Sequence, residues 1–282
     1  MPELPEVETM RRGIAVIAGK RIANVRRVAC RRRPIYVAPS IPTFRRRVLG
    51  QTVATVDRLG KRIVLRLASH DAIVIEPRMT GLVLLAAPPS TEHLRWALDF
   101  EGPAAKSLLY WDRRGLGSVR LFRPAELQST FGPPALGPDA LAITVEQLRE
   151  NLGKSRREVK PALLDQKAVA GIGNLYASEI LFLAGVHPQT RCDRLTLRQW
   201  ISIHHSLGAV LREAIRYEGS TLSDGTYRNA LNKAGGYQNQ HRVYDKESAP
   251  CPQCGNAIER IVQTQRSTFF CRRCQTRRNR TS

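Results

Sequence analysis

A proline and two carboxylates open the chain, as Met1-Pro2-Glu3-Leu4-Pro5-Glu6, and no other short stretch puts as much chemistry in one place. Removal of Met1, which a small second residue favours, leaves Pro2 as a free secondary amine. An α-amino group has a pKa of about 7.7–8.0, so much of it is neutral near pH 7. A neutral secondary amine adds to a sugar aldehyde carbon and forms an iminium, an electron sink. Glu3 and Glu6 supply proton-transfer groups beside it. The ordinary alternative is a polar lead-in to a helix, because Pro and Glu both suit a helix N-terminus. The six residues alone leave the two readings open.

Four of the six cysteines carry the next signal. Cys251 and Cys254 are separated by sixteen residues from Cys271 and Cys274, a CxxC-x16-CxxC pattern. Each pair supplies two thiolates from one tight turn, and four thiolates suit one tetrahedral, structural zinc ion. The competing reading is a pair of disulfides or a redox pair, and no thioredoxin-like context accompanies the cysteines. Cys30 and Cys192 stand alone and read as inert, partly buried thiols. Two further motifs face toward phosphate chemistry. Ala170-Gly-Ile-Gly-Asn174 is a glycine-rich turn feeding a helix N-terminus, which offers backbone N–H groups to an anion. Gln265, Arg266 and Thr268 precede the third zinc ligand, where a metal-stapled hairpin would hold an arginine fit for bidentate phosphate contacts. An ordinary tight turn and a solvated hairpin charge are the alternatives.

The elements that must position these groups follow from periodicity. Val7, Met10, Ile14, Ile17 and Ala18 predict a helix over 6–18. Short β-type runs follow at 21–29, 52–59, 63–67, 72–75, 82–85, 96–100, 107–111 and 118–122, separated by Gly, Pro and charged turns as in a sandwich or barrel. A Pro/Gly-rich stretch over 131–139 reads as a linker. From there to about residue 234 the pattern is helical. Thr144 and Gln147 make a capping box, Asn174 reads as an N-cap with Gly185 closing that helix, and another helix spans 196–217. The Gly/Ser/Asn-rich segment 220–236 reads as a mobile loop. The predicted class is α+β: an N-terminal β-sandwich (1–135), a helical domain (136–244) and a zinc-finger hairpin (245–282).

Composition narrows the partner. The 282 residues carry 45 Lys+Arg against 24 Asp+Glu, a formal net charge of +21, which calls for a polyanion. The basic residues concentrate at 26–33, 45–47, 156–160 and 272–280 but are otherwise dispersed, a pattern that fits a charged groove better than a tail. The absence of an 18-residue apolar run argues against a membrane span, and acidic residues at the start argue against a secretory leader. Nucleic acid is the expected partner.

Taken in order, PELPEVET-x-RRG, a β-rich first half, GIGN-x-YASE-x-LF-x-AG-x-HP and the terminal QRSTFFCRRC hairpin resemble the bacterial formamidopyrimidine-DNA glycosylases, from Pro2 to Cys274. The opening PELPEVE is closer to these than to the PEGPE-type start of the sister endonuclease VIII enzymes. The resemblance implies a helix–two-turn–helix middle domain, and a monomer acting on double-stranded DNA with oxidised bases or abasic sites. It would remove oxidised purines such as 8-oxoguanine and formamidopyrimidines, then cut the strand by β,δ-elimination. Pro2 would attack C1′, Glu3 would protonate the opening sugar and Glu6 would support it. Lys61 would contact the backbone and assist β-elimination, and Arg266 would grip phosphates and serve δ-elimination. His93, Arg156, Lys160 and Asn174 would bind DNA. Met79, Arg114 and Leu116 would fill the space left by the everted base.

The sequence departs from that pattern in three places. The usual DPRRFG loop becomes Asp112-Arg-Arg-Gly115-Leu116-Gly, the usual His-Leu-Gly before Met79 becomes Glu76-Pro77-Arg78, and the segment over 221–237 departs from the usual lesion-capping loop. Three rivals remain: an endonuclease VIII-like pyrimidine glycosylase, a non-catalytic DNA-binding paralogue, and a zinc-ribbon RNA- or ribosome-associated protein.

Overall fold

Val7, Met10, Ile14 and Ile17 are all at most 1% exposed, so four residues of the stripe predicted for the first helix do face a core, while the fifth, Ala18, is exposed past its end. Helix α1 spans Leu4–Ile14 and ends in a 3-10 turn over Ala15–Ile17. It begins two residues before the predicted start because Pro5 fits the first turn, where its missing N–H costs nothing. The computed structural model describes residues 2–102, 107–222 and 225–276. Met1, whose removal frees the Pro2 amine, lies outside the described residues. So do Ser223 and Asp224 of the 221–237 segment and the end of the basic run at 277–280.

The chain divides into two units, Met1–Gly132 with Ala214–Gln238, and Pro133–Glu213 with Asn239–Ser282. In the first unit the strands are β1 (Ile22–Arg27), β2 (Tyr36–Ala38), β3 (Val53–Leu59), β4 (Arg62–Leu67), β5 (Ala72–Glu76), β6 (Gly81–Leu84), β7 (Leu94–Phe100), β8 (Leu108–Asp112) and β9 (Ser118–Phe122). They form a four-stranded sheet, β1-β7-β8-β6, and a five-stranded sheet, β2-β9-β5-β4-β3. One apolar core takes side chains from both sheets and from α1, and α1 packs on β3, β4 and β6. The expected sandwich is present. Sequence reading passed over β2 and two helices, α2 (Ile41–Val48) and α3 (Pro124–Phe131).

The segment 220–236, expected to be mobile, is built into this unit over its described residues. Tyr227 and Ala230 belong to the core. The Asn229 carboxamide oxygen accepts the N–H groups of Leu231 and Lys233, both at 3.0 Å, while its NH2 donates to Glu218. Gly13 of α1 leaves room for it: a Cβ on Gly13 would stand 2.5 Å from that of Ala230.

In the second unit, α4 (Val145–Leu152), α5 (Val159–Leu163), α6 (Asn174–Leu183) and most of α7 (Leu197–Arg216) precede a zinc-module hairpin of β10 (Glu259–Gln263) and β11 (Arg266–Phe270). The Thr144–Gln147 capping box forms with bonds of 3.1 and 3.2 Å. Gly185 closes α6 in the left-handed region (φ +66°), its N–H donating to Phe182 and that of Val186 to Leu181. These are the two bonds of a Schellman cap. Asn174 is not the N-cap: Gly173 holds that position, and the Asn174 side chain is used elsewhere.

Candidate active site and zinc module

Pro2, Glu3 and Glu6 are all buried in the first unit, with Glu3 4% and Glu6 2% exposed. One Glu6 oxygen accepts the Glu3 N–H at 2.8 Å and the other accepts the Ser220 N–H at 2.9 Å. This is the backward reach of a third-position glutamate at a helix start, extended to a second segment of chain. Glu6 is therefore a clamp that fixes where Glu3 and the preceding proline stand. The Tyr227 hydroxyl donates to the Glu218 carbonyl at 3.0 Å and approaches that of Glu6 at 3.4 Å. Burial, then the nearby Glu6 charge, pushes this phenol well above its ordinary range, so it stays a neutral donor.

One turn later, Glu8 binds Arg11 at 2.9 Å, Arg12 at 2.8 Å and Arg58 at 3.2 Å. Burial works to raise its carboxyl, but the guanidinium bonds and charges prevail and hold it below the ordinary range. Lys61 lies in the two-residue loop between β3 and β4. Gly60 takes the first loop position at φ +56°, as hairpins of this length require.

Two loops carry the residues expected to fill the DNA stack. Met79 is 38% exposed, while Arg114 is exposed and Leu116 half-buried. Between them lies Asp112, fully buried. Its Oδ1 accepts the Thr80 hydroxyl at 2.5 Å and the Arg114 N–H at 3.2 Å, and its Oδ2 accepts the Gly117 N–H at 2.9 Å. The Thr80 oxygen itself accepts the Arg114 N–H at 2.9 Å. Arg95, 2% exposed, donates to the Asp112 carbonyl at 2.8 Å. His93 stacks edge-on to Trp111 at 5.4 Å and its carbonyl accepts the Asp112 N–H.

The departures acquire physical reasons. Gly115 has φ +63°, and a Cβ there would collide with the Arg33 carbonyl. Arg78 keeps a left-handed backbone, φ +55°, at the position where the resembled family has glycine. That costs a non-glycine residue about 1–2 kcal/mol. Glu76 is not a bare acid: it pairs with Arg62 at 3.0 Å and Arg78 at 3.3 Å. Burial lowers the Arg62 guanidinium against the opposing pull of Glu76.

In the second unit, Lys160 is 1% exposed. Its ammonium donates to Asn174 Oδ1 at 2.8 Å, the Ser267 carbonyl at 2.9 Å and the Thr268 hydroxyl at 2.7 Å. Asn174 completes the ring by donating to the same Ser267 carbonyl at 3.0 Å. These bonds tie the start of α6 to the zinc hairpin. Arg156 is exposed, as is Arg266 at the first position of β11. The turn before it places Thr264 (φ +46°) and Gln265 (φ +63°) in the left-handed region.

The four Sγ atoms of Cys251, Cys254, Cys271 and Cys274 lie within 4.8 Å of one another, with Cys254–Cys271 at 3.5 Å and Cys251–Cys274 at 3.8 Å. A tetrahedron with Zn–S bonds of about 2.3 Å has edges of about 3.8 Å, so the donor set fits one structural zinc. Phe182, Val243, Ile258 and Phe269 pack around the thiols. Sequence reading missed Asp112, Thr80, Arg95 and Glu179. Glu179 is fully buried on α6 and accepts the N–H groups of Arg242, Val243 and Tyr244 at 2.8–2.9 Å. Glu179 stood in the YASE stretch of the resemblance and is the one charged residue of α6, but no role was read for it.

Residues 1–119 match the profile of the formamidopyrimidine-DNA glycosylase N-terminal domain, 135–226 the formamidopyrimidine-DNA glycosylase H2TH domain, and 249–277 the zinc finger found in FPG and IleRS. The formamidopyrimidine-DNA glycosylase of Bacillus subtilis is 39% identical over 284 residues, covering 99% of this chain and 100% of its own. That of Chloroflexus aggregans is 38% identical, covering 98% of each. A Lactococcus lactis FPG bound to abasic-site DNA superposes with a TM-score of 0.87 at 31% identity, over 98% of this chain and 100% of that one. The Thermus thermophilus MutM (FPG) protein gives 0.83 at 35%, over 97% and 98%.

Proposed function

The chain belongs to the formamidopyrimidine-DNA glycosylase family, and from that premise we propose how its residues carry out base excision. It is a DNA glycosylase of base-excision repair whose substrate is duplex DNA holding an oxidised purine. With Met1 removed, the Pro2 nitrogen attacks C1′, the C1′–N bond to the damaged base breaks, and the base leaves with a proton. The ring oxygen of the sugar takes a proton from Glu3 as C1′–O4′ opens, leaving an iminium between Pro2 and C1′. That iminium acidifies C2′; loss of the C2′ proton expels the 3′-phosphate, and a second elimination expels the 5′-phosphate. Lys61 assists the first elimination and Arg266 the second.

The observation that carries this reading is the pair of backbone bonds on Glu6, which hold a buried proline–glutamate pair at a helix start. A carboxylate so committed has little capacity left for proton transfer, so Glu6 positions and Glu3 acts. His93, Arg114, Arg156, Met79 and Leu116 serve DNA contact and void filling, while Lys160 and Asn174 act through the hairpin that presents Arg266. The functional parts are 1–135, 136–244 and 245–282, working as a monomer in the bacterial cytoplasm at the nucleoid. Among the described residues no helix is long and apolar enough to cross a membrane.

The test is borohydride trapping of the mature protein on duplexes carrying 8-oxoguanine opposite cytosine, with oxidised-pyrimidine and undamaged duplexes alongside. A covalent complex on the oxidised purine that vanishes when an N-terminal extension turns the Pro2 nitrogen into an amide supports the scheme; a glycine at that position would still present an α-amine. Undiminished trapping by the extended protein would mean another amine is the nucleophile. A preference for the pyrimidine lesion would move the enzyme to the endonuclease VIII-like reading.

A further inference from the structure

The two loops expected to enter the DNA stack come from different places in the chain, 77–81 and 112–117, yet one buried carboxylate binds both. Asp112 takes the hydroxyl next to Met79 and the amides of Arg114 and Gly117. Thr80 doubles the link by accepting the Arg114 N–H while donating to Asp112. Neither side chain has surface with which to touch a ligand, being 0% and 3% exposed. Arg95 fixes the same point from behind through the Asp112 carbonyl. Tyr110 closes the other side, because a Cβ on Gly117 would collide with its hydroxyl. The loop is therefore defined by polar bonds to one acid.

We propose that Asp112 and Thr80 are positioning residues that lock Met79, Arg114 and Leu116 into a single preformed wedge, and that this lock sets both the ease of base eversion and the choice of opposite base. The inference rests on the void-filling role given to those three residues under the proposed function. Everting a paired base costs a few kcal/mol, and a wedge whose parts move independently returns less of that cost. Arg114 can discriminate the orphaned base only if its backbone is held, and its N–H is the one atom bonded by both members of the pair. An abasic site has no base to evert, so elimination there depends much less on the wedge.

Single-turnover excision of a formamidopyrimidine opposite cytosine and opposite adenine, set beside elimination at a preformed abasic site, tests the lock. Thr80→Val is isosteric but cannot bond, Thr80→Ser restores the hydroxyl, and Asp112→Asn replaces an acceptor by a donor. The expected result for Thr80→Val and Asp112→Asn is a loss of about tenfold or more in excision. Cytosine-over-adenine preference falls with it, and abasic-site elimination stays within about threefold. Thr80→Ser keeps both the rate and the preference. Parallel loss of excision and elimination, or an unchanged opposite-base preference in Thr80→Val, would overturn the proposal. A wild-type protein that neither excises nor traps would instead overturn the parent reading.

Discussion

The segment bearing Pro2 and Glu3 is held by apolar burial: α1 presses Val7, Met10 and Ile14 into a core shared by two sheets, and Glu6 adds two amide bonds. The hairpin bearing Arg266 is held by other means. Around it lie a small apolar cluster, of which two cysteines are themselves members, four thiolates, and a buried ammonium spending three hydrogen bonds. A nucleophile has to be placed against a carbon to within a fraction of an ångström, and a packed core does that at any metal concentration. A two-stranded ribbon is too small to make such a core. The comparison predicts that the two regions fail under different insults.

The largest separation should come from metal removal. Structural zinc contributes about 10–16 kcal/mol to folding in small modules, so chelation should remove hydrogen-exchange protection over 258–275 and weaken DNA binding. Amides over 63–84 should stay protected, and joint loss of both would break the comparison. Next, Lys160→Ala should cost the hairpin region about 1–3 kcal/mol for each of the buried neutral acceptors it leaves unsatisfied. It should also lower phosphate-dependent binding, while exchange over 63–84 is unaffected.

A third test uses pH. Burial, then the Lys246 charge, lowers His241 to about 4 from an ordinary 6.5. The unfolded chain takes up the proton first, so this contribution is complete above about 6.5 and is lost as pH falls toward 4, up to about 3 kcal/mol in all. Replacing His241 by Phe should flatten that part of the second unit's pH–stability curve; an unchanged slope would remove His241 from the account. The smallest effect belongs to Glu6→Gln. It keeps one acceptor and places an amide donor against an N–H, costing about 1–3 kcal/mol, seen as faster exchange at Ser220 and not in the hairpin.

The sequence showed the sandwich, the long helix and the metal site clearly, because each has a period or spacing that survives reading in one dimension. It was silent where a short element is covered in charge. In α2 only Phe44 and Val48 are buried, and the three arginines at 45–47 read simply as basic surface. The family resemblance implied DNA contacts for Lys160 and Asn174, and nothing near them in the sequence pointed to the hairpin. Their partners, Ser267 and Thr268, stand more than ninety positions along the chain. Asp112 was hidden in the same way: its partners are the Thr80 hydroxyl, distant in the chain, and two backbone N–H groups, and backbone has no letter.

Gly13 and Ala230 carry a consequence for how this enzyme can change. With no Cβ on one and only a methyl on the other, α1 and the 225–237 segment touch closely enough that neither position can grow alone. The segment cannot be transplanted as a cassette. A chimera that takes the corresponding stretch from a relative must bring that relative's residue 13 with it, and lineages should gain or lose bulk at the two positions together. A part of the enzyme that departs from the usual pattern is thus tethered, through a single missing carbon, to the helix that follows Pro2 and Glu3.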